Sequence, residues 1–195
     1  MIQNKDYEVS QEDFISIQNA YGKVNLESQP DVQPVVTAFL HGAYTLAEAK
    51  TTDILRGKYE IKVQEDGHSA LPDHIFENPV QKKIIILCED KHNDLEKAKL
   101  QNFDQLISFS LTEAGRDQKY FYGIASTVKN WVLLLYKTTE QEKTATKHNF
   151  IVSKNMSLTL NDQNLLRLDF IRDLMRLIRG LMTNNPDQVM NQVRF

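Results

Sequence analysis

The chain has 195 residues, of which 41% are hydrophobic, with 23 basic and 26 acidic side chains and a formal net charge of −3. A length of this order suits a domain with a sizeable core, and no linker rich in proline, glycine or serine divides the sequence, so we expect a single domain over residues 1–195. The near balance of charge argues against a generally polyanion-binding surface. Any nucleic-acid contact must therefore come from local clusters of basic residues.

Cysteine usage and hydropathy indicate the compartment. The single cysteine, Cys88, excludes an intramolecular disulfide and fits a reducing environment. The first ten residues are mostly polar, and no apolar run approaches the roughly 20 residues that span a bilayer. We therefore expect no signal peptide, no membrane contact and an intracellular protein, cytoplasmic or nuclear.

The first third of the chain predicts two helices. Ser10 and Asp13 resemble a capping box, and apolar residues follow them at helical spacing. A second helix is predicted to begin near Pro34, since proline favours the first turn, and to end before Gly57. Both helices are expected to bury one apolar face.

Strands are predicted next, because the hydrophobic period changes to two at residues 58–63. A turn is predicted at 65–67. Two further strands are predicted at residues 70–76 and 82–91, joined by a connection over 77–81 that contains Asn and Pro.

The second half of the chain predicts a helix, two strands, a short strand and a closing helix, at residues 93–115, 119–127, 131–138, 150–154 and about 161–182. We expect Asn93 to cap the first of these helices. This order of elements predicts an α/β or α+β sheet flanked by helices.

The third predicted strand is the most hydrophobic, yet it ends in Glu89, Asp90 and Lys91. With a side-chain period of two, Glu89 and Lys91 share one face of this strand, and Asp90 lies on the other together with Cys88. If the preceding strand pairs with it as a hairpin neighbour, Asp73 comes beside Glu89. Two carboxylates and one ammonium group then meet at a sheet edge.

Such a group of side chains suits a hard divalent cation. Mg²⁺ prefers oxygen ligands, keeps several waters and takes one or two carboxylates together with substrate phosphate oxygens. A bound metal lowers the pKa of a water ligand and neutralises charge that builds on phosphorus. Lys91 would orient or deprotonate the attacking water, or stabilise the developing charge.

Pro72 and Asp73, followed sixteen residues later by the Glu-Asp-Lys sequence of residues 89–91, resemble the signature of the PD-(D/E)XK nuclease superfamily. The following helix carries Gln101 and Gln105, similar to a glutamine that lies close to the site in many members. The segments "FYGIAST" and "WVLLLY" are similar to the strand pair that continues the core sheet of restriction-enzyme-like members. The resemblance covers residues 60–137.

This resemblance implies an α/β fold with a restriction-endonuclease-like central mixed sheet flanked by helices. It also implies phosphodiester cleavage with Mg²⁺ or Mn²⁺, on DNA in preference to RNA, and a homodimer, since many members cut duplexes as dimers. Asp73 and Glu89 would hold the metal and Lys91 would act on the water. Gln101 would support the site, whereas we expect Gln105 to be a solvated helix residue.

Members of the superfamily often carry a further acid on an earlier element. Glu12, Glu48 and Glu60 are candidates for this position in the present chain. Glu60 is the first choice as a third metal ligand, because it is nearest to Asp73 in the expected sheet order.

Other interpretations stay open at this level. Asp73 also suits a turn, and Glu89 and Lys91 suit a solvated ion pair at a strand end. A noncatalytic nucleic-acid-binding or protein-interaction module that retains the nuclease-like fold is the alternative function. His74 should alternate with Asp73 to the opposite face, and Cys88 is predicted to be a small buried apolar residue rather than a nucleophile.

Basic residues of the closing helix form a second candidate surface. Arg172, Arg176 and Arg179 follow helical spacing, which is typical of a solvated face paired with acidic neighbours. Together with Lys97 they are alternatively a patch that contacts the phosphates of a nucleic acid.

Overall fold

The computed structural model describes residues 10–22, 33–48, 56–59, 63–65, 68–78, 83–112, 115, 117–138, 148–163 and 165–182. The helices in these ranges are α1 (Gln11–Gly22), α2 (Gln33–Glu48), α3 (Leu95–Ser110) and α4 (Leu168–Met182). The strands are β1 (Arg56–Tyr59), β2 (Val63–Glu65), β3 (His68–Ala70), β4 (His74–Asn78), β5 (Lys83–Asp90), β6 (Tyr120–Ser126), β7 (Asn130–Lys137), β8 (Phe150–Val152) and β9 (Met156–Ser157).

Among the described strands, seven form one mixed sheet with the order β1-β4-β5-β6-β7-β8, and β9 also pairs with β7. Strands β5 and β6 are parallel, and the other neighbours in this sheet are antiparallel. Parallel neighbours need a crossover, which α3 provides here. Strands β2 and β3 form a separate two-stranded ribbon.

The sheet separates two apolar layers, because alternate side chains of each strand point to opposite faces. Ile86 of β5 and Trp131 of β7 pack with α1, α2 and α4 in one core. Leu87 and Val132, their chain neighbours, pack with α3 in the other. The end of β5 is therefore held from both sides.

The predicted capping interaction between Ser10 and Asp13 at the start of α1 is confirmed through the Ser10 hydroxyl. The Ser10 hydroxyl accepts a hydrogen bond of 3.0 Å from the amide of Asp13 and donates one of 2.6 Å to the Asp13 carboxylate. The helix α3, however, is capped by Asp94 rather than Asn93, since the carboxylate of Asp94 accepts a 2.9 Å hydrogen bond from the amide of Lys97.

The closing helix begins at Leu168, seven residues later than predicted. The side-chain oxygen of Asn161 accepts hydrogen bonds from the amides of Gln163 and Leu165, and Leu160 forms a β-bridge with Leu166. These contacts satisfy the backbone in a turn instead of a helix, because asparagine competes for nearby amide groups.

The predicted strand at 70–76 is wrong at its start. Residues 68–70 form β3 and pair with β2, and β4 begins only at His74. Asp73 thus lies just ahead of a core strand. The predicted first strand at 58–63 overlaps β1, Arg56–Tyr59, and its last residue, Val63, begins β2. Residues 60–62 of this strand and 79–81 of the predicted connection at 77–81 lie outside the described part of the chain.

No helix in the described ranges is long and apolar enough to cross a membrane.

Candidate functional site

The pairing of β4 with β5 brings Asp73 to Glu89. These strands are antiparallel with His74 opposite Cys88, so the next step of the same register places Asp73 opposite Glu89. The amide of Asp90 donates a 2.8 Å hydrogen bond to Oδ2 of Asp73. The sheet thus brings together two carboxylates that lie sixteen positions apart in the sequence.

Lys91 joins both carboxylates. Its Nζ contacts Oε1 of Glu89 directly and lies 3.8 Å from Oδ2 of Asp73. The same ammonium group donates a 3.2 Å hydrogen bond to the carbonyl oxygen of Asp90, and the amide of Lys91 donates one of 2.9 Å to the carbonyl of Ser126 at the end of β6. The two carboxylates and the ammonium group therefore converge at one sheet end, as the alternation along β5 predicted.

Glu89 is buried and hydrogen-bonded on both oxygens. Its side chain is 2% exposed, Lys91 contacts Oε1, and Nε2 of Gln105 donates a 2.8 Å hydrogen bond to Oε2. The expectation that Gln105 is solvated is wrong, because α3 packs over β5 and turns this residue toward the sheet. The helical spacing of Gln105 could have predicted this burial, because it lies on one helix face with the buried residues Ala98, Asn102 and Phe109.

Gln101 lies one helical turn before Gln105 and is only partly buried. Its Oε1 is enclosed and accepts no hydrogen bond within the described part of the chain. The glutamine that contacts Glu89 is therefore Gln105, and the supporting role of Gln101 stays a prediction.

The position of α3 depends on a close approach between Asn102 and Gly123. Nδ2 of Asn102 donates a 3.0 Å hydrogen bond to the carbonyl of Leu87 on β5. Gly123 of β6 pairs with Leu87 of β5. A Cβ atom added at Gly123 would lie 1.8 Å from Oδ1 of Asn102. Glycine is therefore required here for the helix to lie close to the sheet.

The electrostatic environment disfavours ionisation of Asp73. Burial raises the pKa of this carboxyl to about 6, and the negative charges of Asp90 and Glu89 act in the same direction. The hydrogen bond from the Asp90 amide and the charge of Lys91 lower it by less. For Lys91, burial alone would lower the pKa, but the hydrogen bond to Glu89 and the surrounding carboxylates outweigh burial and raise it.

The opposite face of β5 carries a second polar contact. Nε2 of His74 lies 3.2 Å from Oδ1 of Asp90, and both side chains are almost fully buried. His74 and Asp90 therefore point away from Glu89, as predicted from alternation. Cys88 is buried on the same face, and burial raises the pKa of its thiol, so it does not have the environment of a nucleophile.

Of the three candidates for an additional acid, only Glu12 can be placed relative to this site. Glu12 is exposed on α1, a helix that packs on the face opposite to Glu89. Glu60 and the side chain of Glu48 lie outside the described part of the chain.

The predicted basic residues do not share one surface. Arg172 and Arg176 are partly buried, and Nη1 of Arg176 lies 3.6 Å from Oδ1 of Asp173. Arg179 is buried, which removes it from any continuous exposed edge. Lys97 is exposed in the first turn of α3, across the sheet from α4. Nucleic-acid binding by these residues stays a prediction.

The carboxylate oxygens at the sheet end are of the chemical type that Mg²⁺ prefers as ligands, and binding of Mg²⁺ or Mn²⁺ stays a prediction. Within the described ranges, no group of three or more His, Cys, Asp or Glu side chains is placed to hold a metal ion. Mg²⁺, however, typically takes only one or two protein carboxylates. Asp73 and Glu89 both lie near one cationic group, the ammonium of Lys91, which is 3.8 Å from Oδ2 of Asp73 and contacts Oε1 of Glu89.

Comparison with known proteins identifies the fold. No protein-family model and no curated protein matches the chain. Among solved structures it is similar to the type IIG restriction endonuclease BpuSI, with a TM-score of 0.50 and 11% sequence identity over 81% of this chain. The chain spans 17% of the length of that enzyme. The fold is restriction-endonuclease-like, a central mixed sheet flanked by helices.

Proposed function

We propose that this restriction-endonuclease-like domain is a Mg²⁺- or Mn²⁺-dependent nuclease that hydrolyses phosphodiester bonds of DNA. The observation that carries the proposal is the position of the Lys91 ammonium group, which contacts Glu89 and lies 3.8 Å from Asp73. A solvated ion pair at a strand end would not explain why Glu89 is buried with a partner on each carboxylate oxygen. Buried charges are costly unless they are paired or used.

Asp73 and Glu89 would hold the metal ion. A bound Mg²⁺ or Mn²⁺ supplies a water ligand of lowered pKa and neutralises charge on the scissile phosphate. Asp73 directly precedes β4 and Glu89 lies on the neighbouring strand β5, so the pairing of these strands sets the separation of the two carboxylates. Gln105 holds the Glu89 carboxylate through Oε2, which leaves Oε1 directed toward Lys91.

Lys91 would act on the reacting groups. Its ammonium is held by Glu89 and by the carbonyl of Asp90, and it is a quarter exposed, so it can also reach a phosphate oxygen or a water molecule. An ammonium group at this place would stabilise negative charge on the phosphate in the transition state or orient the attacking water. Gln101, one helical turn before Gln105 on α3, would support the site or contact the substrate backbone.

DNA is the proposed substrate because BpuSI is a restriction endonuclease. Two catalytic domains are needed to cut both strands in one binding event, so we also propose that the chain acts on duplexes as a homodimer. Arg172, Arg176 and Lys97 are the proposed phosphate contacts.

The test is a cleavage assay on linear duplex DNA, single-stranded DNA and RNA with Mg²⁺ or Mn²⁺, in parallel with a chelator. We expect the wild-type chain to cut DNA only with metal and Asp73→Asn to be inactive. The matched control is Asp104→Asn, which changes an exposed carboxylate of α3 and should cut normally. Activity that survives both Asp73→Asn and chelation would contradict the proposal, and binding without cleavage would favour the noncatalytic module.

A further inference from the structure

The buried contact between His74 and Asp90 lies on the sheet face that the proposed site does not use. Nε2 of His74 is 3.2 Å from Oδ1 of Asp90, and the side chains are 1% and 2% exposed. A buried pair of this kind contributes little net stability, because desolvation of both groups offsets their attraction. Net stability alone therefore does not explain why this pair is buried.

The sequence positions of the pair suggest one. His74 directly follows Asp73, and Asp90 directly follows Glu89. Because side chains alternate along a strand, the contact joins β4 to β5 on one face, one residue away from the two carboxylates that meet on the other. The pair thus links the two strand ends where the site is formed.

The peptide groups of Asp90 connect this pair to the site. The amide of Asp90 donates a 2.8 Å hydrogen bond to Oδ2 of Asp73. Its carbonyl oxygen accepts a 3.2 Å hydrogen bond from Nζ of Lys91. Any movement of the Asp90 backbone would therefore displace Asp73 and Lys91 together.

We propose that His74 and Asp90 are a positioning pair, whose contact on one face of the sheet fixes the Asp90 backbone that orients Asp73 and Lys91 on the other. Groups that orient metal ligands from outside the ligand set typically change metal affinity or activity by about 10- to 100-fold when they are removed. The inference rests on the proposed nuclease function for its metal and activity readouts, but not for its structural readout.

The structural test measures hydrogen exchange of the Asp90 amide. In His74→Gln we expect its protection to fall about tenfold relative to the Thr138 amide, which donates to the carbonyl of Lys119 ahead of β6, at the other end of the sheet, and serves as the internal reference. Cys88→Ala, a buried change directly opposite His74 in the strand pair, should leave this ratio unchanged. An unchanged ratio in His74→Gln, or an equal fall in Cys88→Ala, would overturn the positioning role.

The metal test measures Mn²⁺ affinity by calorimetry for His74→Gln, Asp90→Asn and the double variant. We expect about a tenfold loss in His74→Gln and little additional loss when it is added to Asp90→Asn, because both act through one contact. His74→Gln is the decisive variant, since Asp90→Asn also removes a negative charge near Asp73. Fully additive losses would contradict coupling through the pair.

The two proposals fail in different ways. If the wild-type chain neither binds Mn²⁺ nor cuts DNA, the nuclease proposal is wrong, and the exchange ratio of the Asp90 amide still decides whether the pair positions the strand ends. If the wild-type chain binds and cuts but His74→Gln does so equally well, the nuclease proposal stands and the positioning pair is wrong.

Discussion

The side-chain amide of Gln105 donates a 2.8 Å hydrogen bond to Oε2 of Glu89 across the interface between α3 and β5. This contact fixes a carboxylate that is 2% exposed and that also contacts Lys91. The helix after the charged strand end is therefore part of the candidate site, through a residue one turn beyond the glutamine that the sequence favoured.

Gln105→Ala should lower the free energy of unfolding by about 1–3 kcal/mol, because Oε2 of Glu89 would keep its burial and lose its donor. Cleavage should fall about 10- to 100-fold, as for other groups that hold a metal ligand. Urea unfolding and a cleavage assay measure the two effects. The matched control is Gln101→Ala on the same helix, and a larger loss of activity in that variant would instead support the role predicted for Gln101.

Lys91→Ala should reduce Mg²⁺-dependent cleavage by about 10²- to 10⁴-fold, which is the range for loss of an acid–base group. Metal affinity should be retained or slightly increased, because a positive charge near the carboxylates is removed. Single-turnover cleavage and Mn²⁺ calorimetry separate these outcomes. Lys99→Ala is the control, since that ammonium group pairs with the exposed Glu96; equal effects of the two changes would refute a specific role for Lys91.

Asp73→Asn should stabilise the metal-free chain more at pH 7 than at pH 4. The pKa of Asp73 is raised from 3.8 to about 6 in the folded state, so between these values the unfolded chain has lost its proton and the folded chain still holds it. Stability of the wild type therefore falls as the pH rises through this window, whereas Asn does not titrate.

Thermal unfolding in the presence of a chelator measures this difference at the two pH values. Leu100→Ala changes an exposed and uncharged side chain, so its unfolding temperature should differ from that of the wild type by the same amount at pH 4 and at pH 7. A gain from Asp73→Asn that is equal at pH 4 and pH 7 would show that burial does not raise the pKa of this carboxyl.

Gly123→Ala should lower the free energy of unfolding by about 1–3 kcal/mol through overpacking. The added Cβ would lie 1.8 Å from Oδ1 of Asn102, and Asn102 cannot move without breaking its hydrogen bond to Leu87. Gly22→Ala is the control, because nothing lies within 4 Å of a Cβ at that helix end. Chemical unfolding should show that part of the lost free energy of unfolding returns when Asn102→Ala is combined with Gly123→Ala. If none returns, the clash with Asn102 is not the cause of the destabilisation.

For duplex DNA binding, the slope of log K against log salt concentration should become less steep by about 0.9 in Lys97→Ala if this residue contacts a phosphate. Combined substitution of Arg172 and Arg176 tests the α4 surface in the same way. Arg179→Met should change thermal stability and leave the slope unchanged, because Arg179 is buried. Binding isotherms over a series of salt concentrations measure the slopes, and unchanged slopes would assign Lys97 and the two arginines to a solvated surface.

Local patterns were sufficient for a substantial part of this structure. The two-residue period along β5 assigned Glu89 and Lys91 to one face and Asp90 to the other, because alternation is a property of any extended strand. The capping box at Ser10 and Asp13 likewise depends only on residues three apart. The expected hairpin pairing of two neighbouring strands brought Asp73 beside Glu89.

Other features depend on how distant elements pack, and short-range patterns carry no record of that. The hydrogen bond between Gln105 and Glu89 follows from the close approach of α3 to the sheet that Asn102 and Gly123 permit. The burial of Arg179 follows from the docking of α4. The contact of His74 with Asp90 needs both the register of β4 against β5 and the apolar layer that covers it, so it exists only once the sheet and its helices have assembled.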